Sequence, residues 1–308
     1  SFLHSLALWA PRLPGAGRKQ NHLALQAYSG AQPFVMPRGT SACANTPASP
    51  ECRSCSLAGA GADPACMEPR DPSEDALNLR CWHQKQRFGI DFLYPVQRYV
   101  DALTQDRLED GTWSPLFCSK RSGDGATCEG TPRDPSQILL AGVVGVPWQL
   151  IARDPNDLAA GLLPSSELPW DAIAGDPASF VEPSSPFMVS SIQPRSGVDP
   201  ITGESVAPPG ASSPTASPIN GHEREIPGRN DLQYACVLDL PVPRACSVHM
   251  GWCDCSEGFE GNPLCQTTDG SYGTTQYRAK AYPAPRYLSV LRGVGKRAVV
   301  ASICAADT

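Results

Sequence analysis

The cysteines constrain the fold of this chain more than any other feature. Thirteen cysteines occur in 308 residues, and most of them stand in segments rich in glycine, proline and serine. A reduced cytosolic enzyme of this size seldom carries so many, whereas disulfides hold irregular loops in place in oxidising compartments. The cysteine content therefore predicts a disulfide-stapled protein that is secreted, on the cell surface or periplasmic.

The cysteines form two clusters, one short-range pair and an isolated residue. The cysteines predicted to form disulfides are Cys43, Cys52, Cys55, Cys66, Cys118, Cys128, Cys236, Cys246, Cys253, Cys255 and Cys265. Cys81 belongs to the first cluster, and Cys304 stands alone near the end. Cys118 and Cys128 are the strongest single pair, because a short closed loop is easily bridged. The other pairings stay open, and the odd total leaves one thiol over.

A zinc site is the alternative for the second cluster. Its ligands would be His249, Cys253, Cys255 and Cys265. Imidazole nitrogen and thiolate sulfur are the ligands of structural zinc, and Cys52 and Cys55 also have the spacing of half a zinc knuckle. However, the chain has no second Cys-x-x-Cys, so disulfides are favoured and no cofactor is predicted.

Composition and charge narrow the classes of function. Apolar residues make up 41% of the chain and charged residues 18%, which is typical of a folded protein rather than a disordered one. A net charge of −6 provides no basic surface for a phosphate backbone, so nucleic acid is not expected as a partner. The longest apolar run, Ile138–Val146, is too short to span a bilayer, and no transmembrane segment is predicted.

Two helix-and-strand pairs are visible in the apolar pattern. Apolar residues recur at helical spacing between 96 and 103, directly after Pro95, and the run Ile138–Val146 predicts a strand buried on both faces. Pro285 begins a second amphipathic helix, and residues 298–303 predict a second buried strand. These two pairs indicate an α/β protein.

Irregular segments separate the two pairs. Asp154, followed by a proline and a second acid at Asp157, predicts a short capped helix through Leu163. The predicted organisation is an irregular segment over 1–35 and a single α/β domain over 36–308, with cysteine-rich loops at 36–81 and 236–265 and a Pro/Ser-rich loop at 164–235. Within that last loop, residues 203–218 are expected to be exposed and flexible.

Four segments carry a family resemblance. They are residues 80–104, 134–155, 220–236 and 278–307. Together they resemble the later part of secreted proteins of the myxobacterial type that contain a von Willebrand factor A-like domain. The resemblance spans roughly residues 36–308. It implies that the predicted helices and strands are the later elements of a partial doubly wound sheet, with a large disulfide-stapled, loop-rich insertion.

One feature of that family is absent from this chain. Such domains usually bind a divalent metal through an Asp-x-Ser-x-Ser loop, whose hydroxyls and carboxylate are hard oxygen ligands. The chain contains no Asp-x-Ser-x-Ser, and the fragment from Asp269 to Ser271 reads as a turn. A divalent cation stays open as the alternative to no cofactor, but no ligand for it is carried over from the resemblance.

No catalytic motif is evident either. The chain has no Gly-x-Ser-x-Gly, and His222-Glu223 is followed by Ile226 where a zincin helix needs its second histidine. His222 is therefore predicted to be a solvated loop residue, and the acids Glu223 and Glu225 to belong to a polar loop. His83 lies close to Cys81, but a disulfide is a more common fate for such a cysteine than catalysis.

The residues thus favour a non-enzymatic binding or structural protein outside the cell or on its surface, with a protein or a surface glycan as partner. Aromatic residues in loops are candidates for the binding surface, or else fill small local cores; they are Trp113, Trp148, Trp170, Tyr272 and Tyr277. The alternative is a secreted hydrolase whose site assembles only in three dimensions. A concave pocket in which His83, His222 or His249 meets a carboxylate or hydroxyl would favour the hydrolase.

Overall fold

The chain forms two compact units, Ser1–Pro95 and Val96–Thr308. The computed structural model describes residues 36–57, 59–68, 74–211, 216–226, 231–246, 253–256 and 259–305. The prediction for residues 1–35 lies outside the described residues. The boundary between the two units falls after Pro95, and the single domain over 36–308 stays a prediction.

The described residues contain short helices and three pairs of strands. The α-helices are α1 (Ala42–Asn45), α2 (Gln84–Phe88), α3 (Val96–Thr104), α4 (Trp170–Ile173) and α5 (Pro285–Val294). The strands are β1 (Leu140–Val144), β2 (Ala152–Asp154), β3 (Asp157–Leu162), β4 (Cys236–Ala245), β5 (Thr275–Ala281) and β6 (Ala298–Ser302). Within the described ranges, no helix is long and apolar enough to cross a membrane.

Each sheet of the described chain has two strands. β1 pairs with β6 in parallel, from Leu140 opposite Ala298 to Val144 opposite Ser302. β2 and β3 form an antiparallel hairpin, and β4 pairs antiparallel with β5 with a register shift. The structure is thus a mixed α/β protein with small sheets. The doubly wound sheet stays a prediction.

The two predicted helix-and-strand pairs are present and pack together. α5 contacts both β1 and β6 and also lies against α3. Two glycines permit this close packing. A Cβ on Gly142 of β1 would lie 2.7 Å from Leu291 Cδ1, and a Cβ on Gly293 of α5 would overlap the side chain of Val100.

The β1–β6 pair is not buried on both faces, as the sequence had suggested. Val300 is 1% exposed and packs in the core beneath α5, whereas Leu139, Val143 and Val299 are 69%, 65% and 48% exposed. Side chains alternate between the faces of a strand, and α5 covers one face only. The continuous apolar run therefore does not imply two covered faces.

The predicted helix from Asp154 to Leu163 was wrong, because this segment forms the β2–β3 hairpin. Asp154 Oδ1 accepts a hydrogen bond from the backbone N–H of Asn156 at 2.9 Å, with Pro155 between them. Aspartate followed by proline serves a type I turn as well as a helix start. Gly161, with φ of +84°, also suits the hairpin better than a helix.

The Pro/Ser-rich segment supplies core side chains and is not simply an exposed loop. Ile173, Phe187 and Ile219 are almost fully buried in the main apolar cluster, next to residues of α5 and β6. Val206, within the stretch expected to be flexible, is also buried. The prolines of the Pro/Ser-rich segment interrupt regular secondary structure, but they do not prevent its apolar side chains from being buried.

Six disulfides use twelve of the thirteen cysteines. They join Cys43 to Cys52, Cys55 to Cys66, Cys118 to Cys128, Cys236 to Cys304, Cys246 to Cys253, and Cys255 to Cys265. The predicted Cys118–Cys128 pair is confirmed, and Cys81 is exposed. Cys304 is not isolated, because it is bonded to Cys236, which stands 68 residues earlier in the chain. Both cysteines lie in the main apolar cluster. These disulfides fit an oxidising compartment.

Candidate functional site

The segment from Asn220 to Ile226 is buried except at Glu225, which is exposed, although the sequence had predicted a polar, solvated loop throughout. Asn220, His222 and Glu223 have 1% of their surface exposed or less, and Arg224 is nearly as buried. The backbone N–H of Val237 in β4 donates to Ile219 O at 2.9 Å, which holds the segment against the core. Its polar side chains therefore need partners within the protein.

Glu223 is one half of a buried ion pair with Arg195. Arg195 donates to it from Nε at 2.9 Å, from a terminal nitrogen at 2.6 Å and from its own backbone N–H at 2.8 Å. The guanidinium also donates to the backbone oxygens of Phe187 and Tyr234, and Asn220 Nδ2 donates to Glu223 at 2.7 Å. This pair ties three irregular segments together and leaves neither charge unpaired.

A second network is centred on Asp231. Its carboxylate accepts hydrogen bonds from Arg224, Tyr234, Lys280 and Tyr282, and Lys280 also donates to Asp254 at 2.6 Å. Two cations thus face two carboxylates beside the β4–β5 sheet. The fixed pairing compensates charges that would otherwise be costly to bury.

The pKa values of the groups in this network are shifted away from neutral pH. Burial alone would raise the pKa of Asp231, but the Tyr282 hydroxyl and the cations Lys280 and Arg224 hold it below its usual value. Burial opposes the ammonium of Lys280, yet its hydrogen bonds and the nearby carboxylates raise its pKa. Burial and the contact with Asp231 raise the pKa of Tyr282 to about 12. These groups therefore keep one protonation state near neutral pH, whereas a general acid or base needs a pKa close to the working pH.

His222 does meet a hydroxyl, but it does so inside the protein. Its Nε2 lies 3.2 Å from the hydroxyl of Tyr272 and 3.2 Å from Gln266 Oε1, and its Nδ1 lies 2.6 Å from Glu223 O. The ring is 1% exposed, so a substrate has no access to it in this conformation. The prediction of a solvated histidine was wrong.

The other histidine candidates stand elsewhere. His83 has φ of +44° at the start of α2, and its ring meets the ring of Trp82 edge-on at 4.4 Å. His249 lies outside the described residues. The cysteines proposed beside it as zinc ligands are bonded as Cys246–Cys253 and Cys255–Cys265, so their sulfurs are not thiolates.

The described residues contain no group of three side chains arranged to hold a metal ion. The fragment from Asp269 to Ser271 forms a turn, in which Asp269 Oδ1 accepts from the backbone and hydroxyl of Ser271 and from the hydroxyl of Thr267. These hydrogen bonds lower the pKa of Asp269 to about 2. Its Oδ1 is thus used within the turn.

The loop aromatics are all partly buried. Trp170 packs against the main apolar cluster and donates from Nε1 to Ser165 O at 2.9 Å, and Tyr272 contacts His222. Trp113 instead lies under the guanidinium of Arg107, which is 4.1 Å from its ring centre. Trp170 and Tyr272 therefore fill local cores, and Trp113 belongs to a surface loop.

That loop surrounds a polar cleft of about 390 Å³. The lining residues are Thr112, Ser119, Arg121, Ser122, Gly123, Asp124 and Gly125. The Cys118–Cys128 disulfide and the bridge between Arg121 and Cys128 close the loop at its base. The sequence predicted the Cys118–Cys128 disulfide but not the cleft beside it. We call this feature the loop cleft.

The side chains of the loop cleft are fixed in position. Arg121 donates to Trp113 O at 3.0 Å, and Asp124 accepts from Ser122 Oγ at 2.5 Å and from the N–H of Ala126 at 3.0 Å. The hydroxyl of Ser122 and the backbone of Ala126 lower the pKa of Asp124, which keeps it anionic. The cleft therefore presents hydroxyls, one cation and one anion side by side, with little apolar lining.

Comparison of the chain with protein-family models, curated proteins and solved structures gave no match. The resemblance to von Willebrand factor A-like proteins thus stays a prediction.

Proposed function

We propose that the protein is an extracellular or cell-surface binding protein that receives a polar, hydroxyl-rich ligand, such as a surface glycan, in the loop cleft. The observation that carries this proposal is the lining of the cleft. Hydroxyl groups, one guanidinium and one carboxylate can donate and accept hydrogen bonds together, as a sugar requires. A net-neutral lining suits an uncharged ligand better than a phosphate or a polycation.

The rigidity of the loop supports binding. The Cys118–Cys128 disulfide crosses the base, and Arg107 donates to the backbone oxygens of Gly111 and Ala126 while its guanidinium covers Trp113. A loop that is already ordered loses little conformational entropy when a ligand binds. Binding residues also occur disproportionately on loops that a rigid scaffold positions.

The secreted hydrolase is the second candidate, and one contact favours it. His222 lies 3.2 Å from the hydroxyl of Tyr272, which is the type of contact that catalysis would need. However, the ring is enclosed, and both of its nitrogens already face protein oxygens. The network at Asp231 holds its charges fixed as well. Binding is therefore the better-supported proposal.

A glycan array probed with the oxidised protein tests the proposal. We expect the unmodified protein to bind a subset of the glycans. Arg121→Ala should lower the affinity for them by about tenfold, which is the effect of losing one hydrogen bond to a charged group. Asp124→Asn should also weaken binding, while its side chain can still accept the hydrogen bond from Ala126. Arg133→Ala is the matched control, because Arg133 is exposed and outside the lining.

Two outcomes would contradict the proposal. If no glycan is retained, or if Arg121→Ala binds as well as Arg133→Ala, the loop cleft is not a glycan site. Release of new reducing ends from a retained glycan, abolished by His222→Gln, would favour the hydrolase instead. The array and the reducing-end assay can use the same protein preparation.

A further inference from the structure

One edge of the β1–β6 sheet has no neighbouring strand among the described residues. The N–H of Ile303 donates to Val144 O at 3.0 Å, which extends the parallel ladder of β1 and β6 by one residue. In such a ladder, the residues of one strand that bond to its neighbour alternate along the chain. Gly142 and Val144 therefore face β6. Ala141 and Val143 instead direct their N–H and C=O groups to the opposite side, which we call the β1 edge.

The backbone groups at the β1 edge have no partner within the described part of the chain. No turn or loop there bonds to the N–H or C=O of Ala141 or Val143. Both side chains are exposed as well, that of Val143 at 65%. A row of unpaired backbone groups on an exposed strand is a template for pairing with a further strand.

The β1 edge also lacks the features that normally prevent such pairing. Natural edge strands are blunted by charged side chains, prolines or bulges. The run Leu139–Val146 contains no charged residue and no proline, and β1 pairs with β6 without a register shift. By contrast, Pro241 and Pro243 stand in β4 where its register with β5 shifts, on an exposed stretch of that strand. An exposed part of β4 is thus protected, and β1 is not.

We propose that the β1 edge pairs with the β1 edge of a second copy of this chain. The strand is self-complementary about Gly142. When two copies run antiparallel with their Gly142 residues opposite each other, Ala141 of each lies opposite Val143 of the other. These two residues carry the outward groups, so each N–H at the edge meets a C=O of the second copy. The two-fold axis through Gly142 makes this a closed dimer rather than an open filament.

The side chains and the charge of the protein are compatible with this pairing. Opposite residues of an antiparallel pair lie on the same face, so the pairing places an alanine beside a valine, without a clash of like charges. Each copy has a net charge of −6, but none of it lies in residues 139–146. The contact is small beside a standard interface of about 1,600 Å², so the dimer is expected to be weak. The paired residues do not line the loop cleft, and the inference does not depend on the proposed ligand.

Amide hydrogen exchange of the oxidised full chain, followed by NMR, tests the pairing residue by residue. The N–H groups of Ala141 and Val143 should exchange at least about threefold more slowly at about 1 mM protein than at about 20 μM, because a weak dimer dissociates on dilution. Those of Gly142 and Val144 donate within the β1–β6 ladder and should be protected at both concentrations.

Two results of this experiment would overturn the proposal. Slow exchange of Ala141 and Val143 that is the same at both concentrations would mean that another segment of the same chain covers the β1 edge. Rapid exchange of both amides at the higher concentration would mean that the second copy does not pair there.

Two substitutions distinguish pairing of edges from stacking of the exposed apolar faces. Val143→Pro removes an outward N–H without touching the ladder to β6, and it should stay monomeric in analytical ultracentrifugation at concentrations where the wild type dimerises. Protection of Gly142 in this variant shows that the sheet is intact. Val299→Lys is the matched control, because Val299 is 48% exposed on the same face but belongs to β6. It should dimerise as the wild type does. Dimerisation of Val143→Pro, or its loss in Val299→Lys, would overturn pairing through the β1 edge.

Discussion

The two compact units reach a folded state by different means. The buried apolar side chains in the described part of the first unit are Met36, Cys43, Cys52, Ala60, Ala76 and Phe88. Two of these are the halves of one disulfide. The second unit instead has a large apolar cluster, and the Cys236–Cys304 disulfide lies inside it. Cross-links thus take the place of a core in the first unit and reinforce one in the second.

Polar contacts also stabilise the first unit. Arg80 forms a buried ion pair with Asp75, whose carboxylate also accepts from the N–H of Met36. Lys85 Nζ donates to Cys52 O at 2.7 Å and to Gly89 O at 3.0 Å. Such contacts are directional and act only once the backbone is in place. They therefore depend on the disulfides that position the loops.

The largest expected effect follows from removing Cys43 and Cys52 together. The chain-entropy model assigns about 3 kcal/mol to a loop of this length, and the small core cannot compensate that loss. We expect Cys43→Ser with Cys52→Ser to abolish hydrogen-exchange protection across residues 36–95.

Cys236→Ser with Cys304→Ser is the matched comparison. This disulfide closes a longer loop and is worth about 4 kcal/mol in the same model. The second unit should nevertheless retain its exchange pattern at a lower melting temperature, because the apolar cluster remains. Protection of 36–95 that survives the first double substitution would refute the contrast between the units.

The next effect concerns the buried ion pair of the second unit. Arg195→Ala leaves the Glu223 carboxylate buried without its cation, which costs about 3 kcal/mol in unfolding free energy. Arg292→Ala is the control, since Arg292 is 43% exposed and its partner Asp171 is more exposed still. That pair is worth under about 1 kcal/mol. Equal losses in chemical denaturation would show that Arg195 is not a structural ion-pair partner.

A smaller effect is expected from pH, through the network at Asp231. The pKa of Asp231 is lowered in the folded protein, so its stabilisation is present above its unfolded pKa of about 3.9 and is lost as the pH falls through the folded value. The pKa of Tyr282 is raised to about 12, so its stabilisation is present below about 10 and is lost as the pH rises through about 12.

Melting temperatures measured across this range test both limits. Asp231→Asn should flatten the acid limb, because it removes the titrating carboxylate. Tyr282→Phe should flatten the alkaline limb in the same way. Unchanged limbs in these variants would mean that other groups set the pH range of stability.

The sequence predicted the elements with strong periodicity and the cysteine chemistry. α3, α5, β1 and β6 are where their apolar patterns placed them, and the Cys118–Cys128 disulfide follows from its short loop. The β2–β3 hairpin was missed because aspartate followed by proline begins turns and helices alike. Where a local signal fits two structures in this way, pairing with the rest of the fold decides which of them forms.

The buried polar network could not be predicted for a different reason. Arg195 and Glu223 are 28 residues apart, and nothing in either local sequence identifies the other as its partner. The residues around Glu223 are charged and follow a glycine, which reads as a solvated loop. The one local signal was Ile219, an apolar residue that is buried directly before the segment. The loop cleft likewise arises from side chains that only the folded disulfide loop brings together.

The smallest expected effect concerns the two faces of the β1–β6 pair. Val143 is 65% exposed on the outer face, so Val143→Ala should change the unfolding free energy by less than about 0.5 kcal/mol. Val300→Ala, on the inner face beneath α5, removes the same atoms from a packed site and should cost about 2 kcal/mol. Chemical denaturation of the two variants measures the unfolding free energy after the same valine-to-alanine change on each face of the paired strands. If Val143→Ala were as destabilising as Val300→Ala, a further element would have to cover the outer face. The doubly wound sheet, in which parallel strands are covered on both faces, would then be the better description of this region.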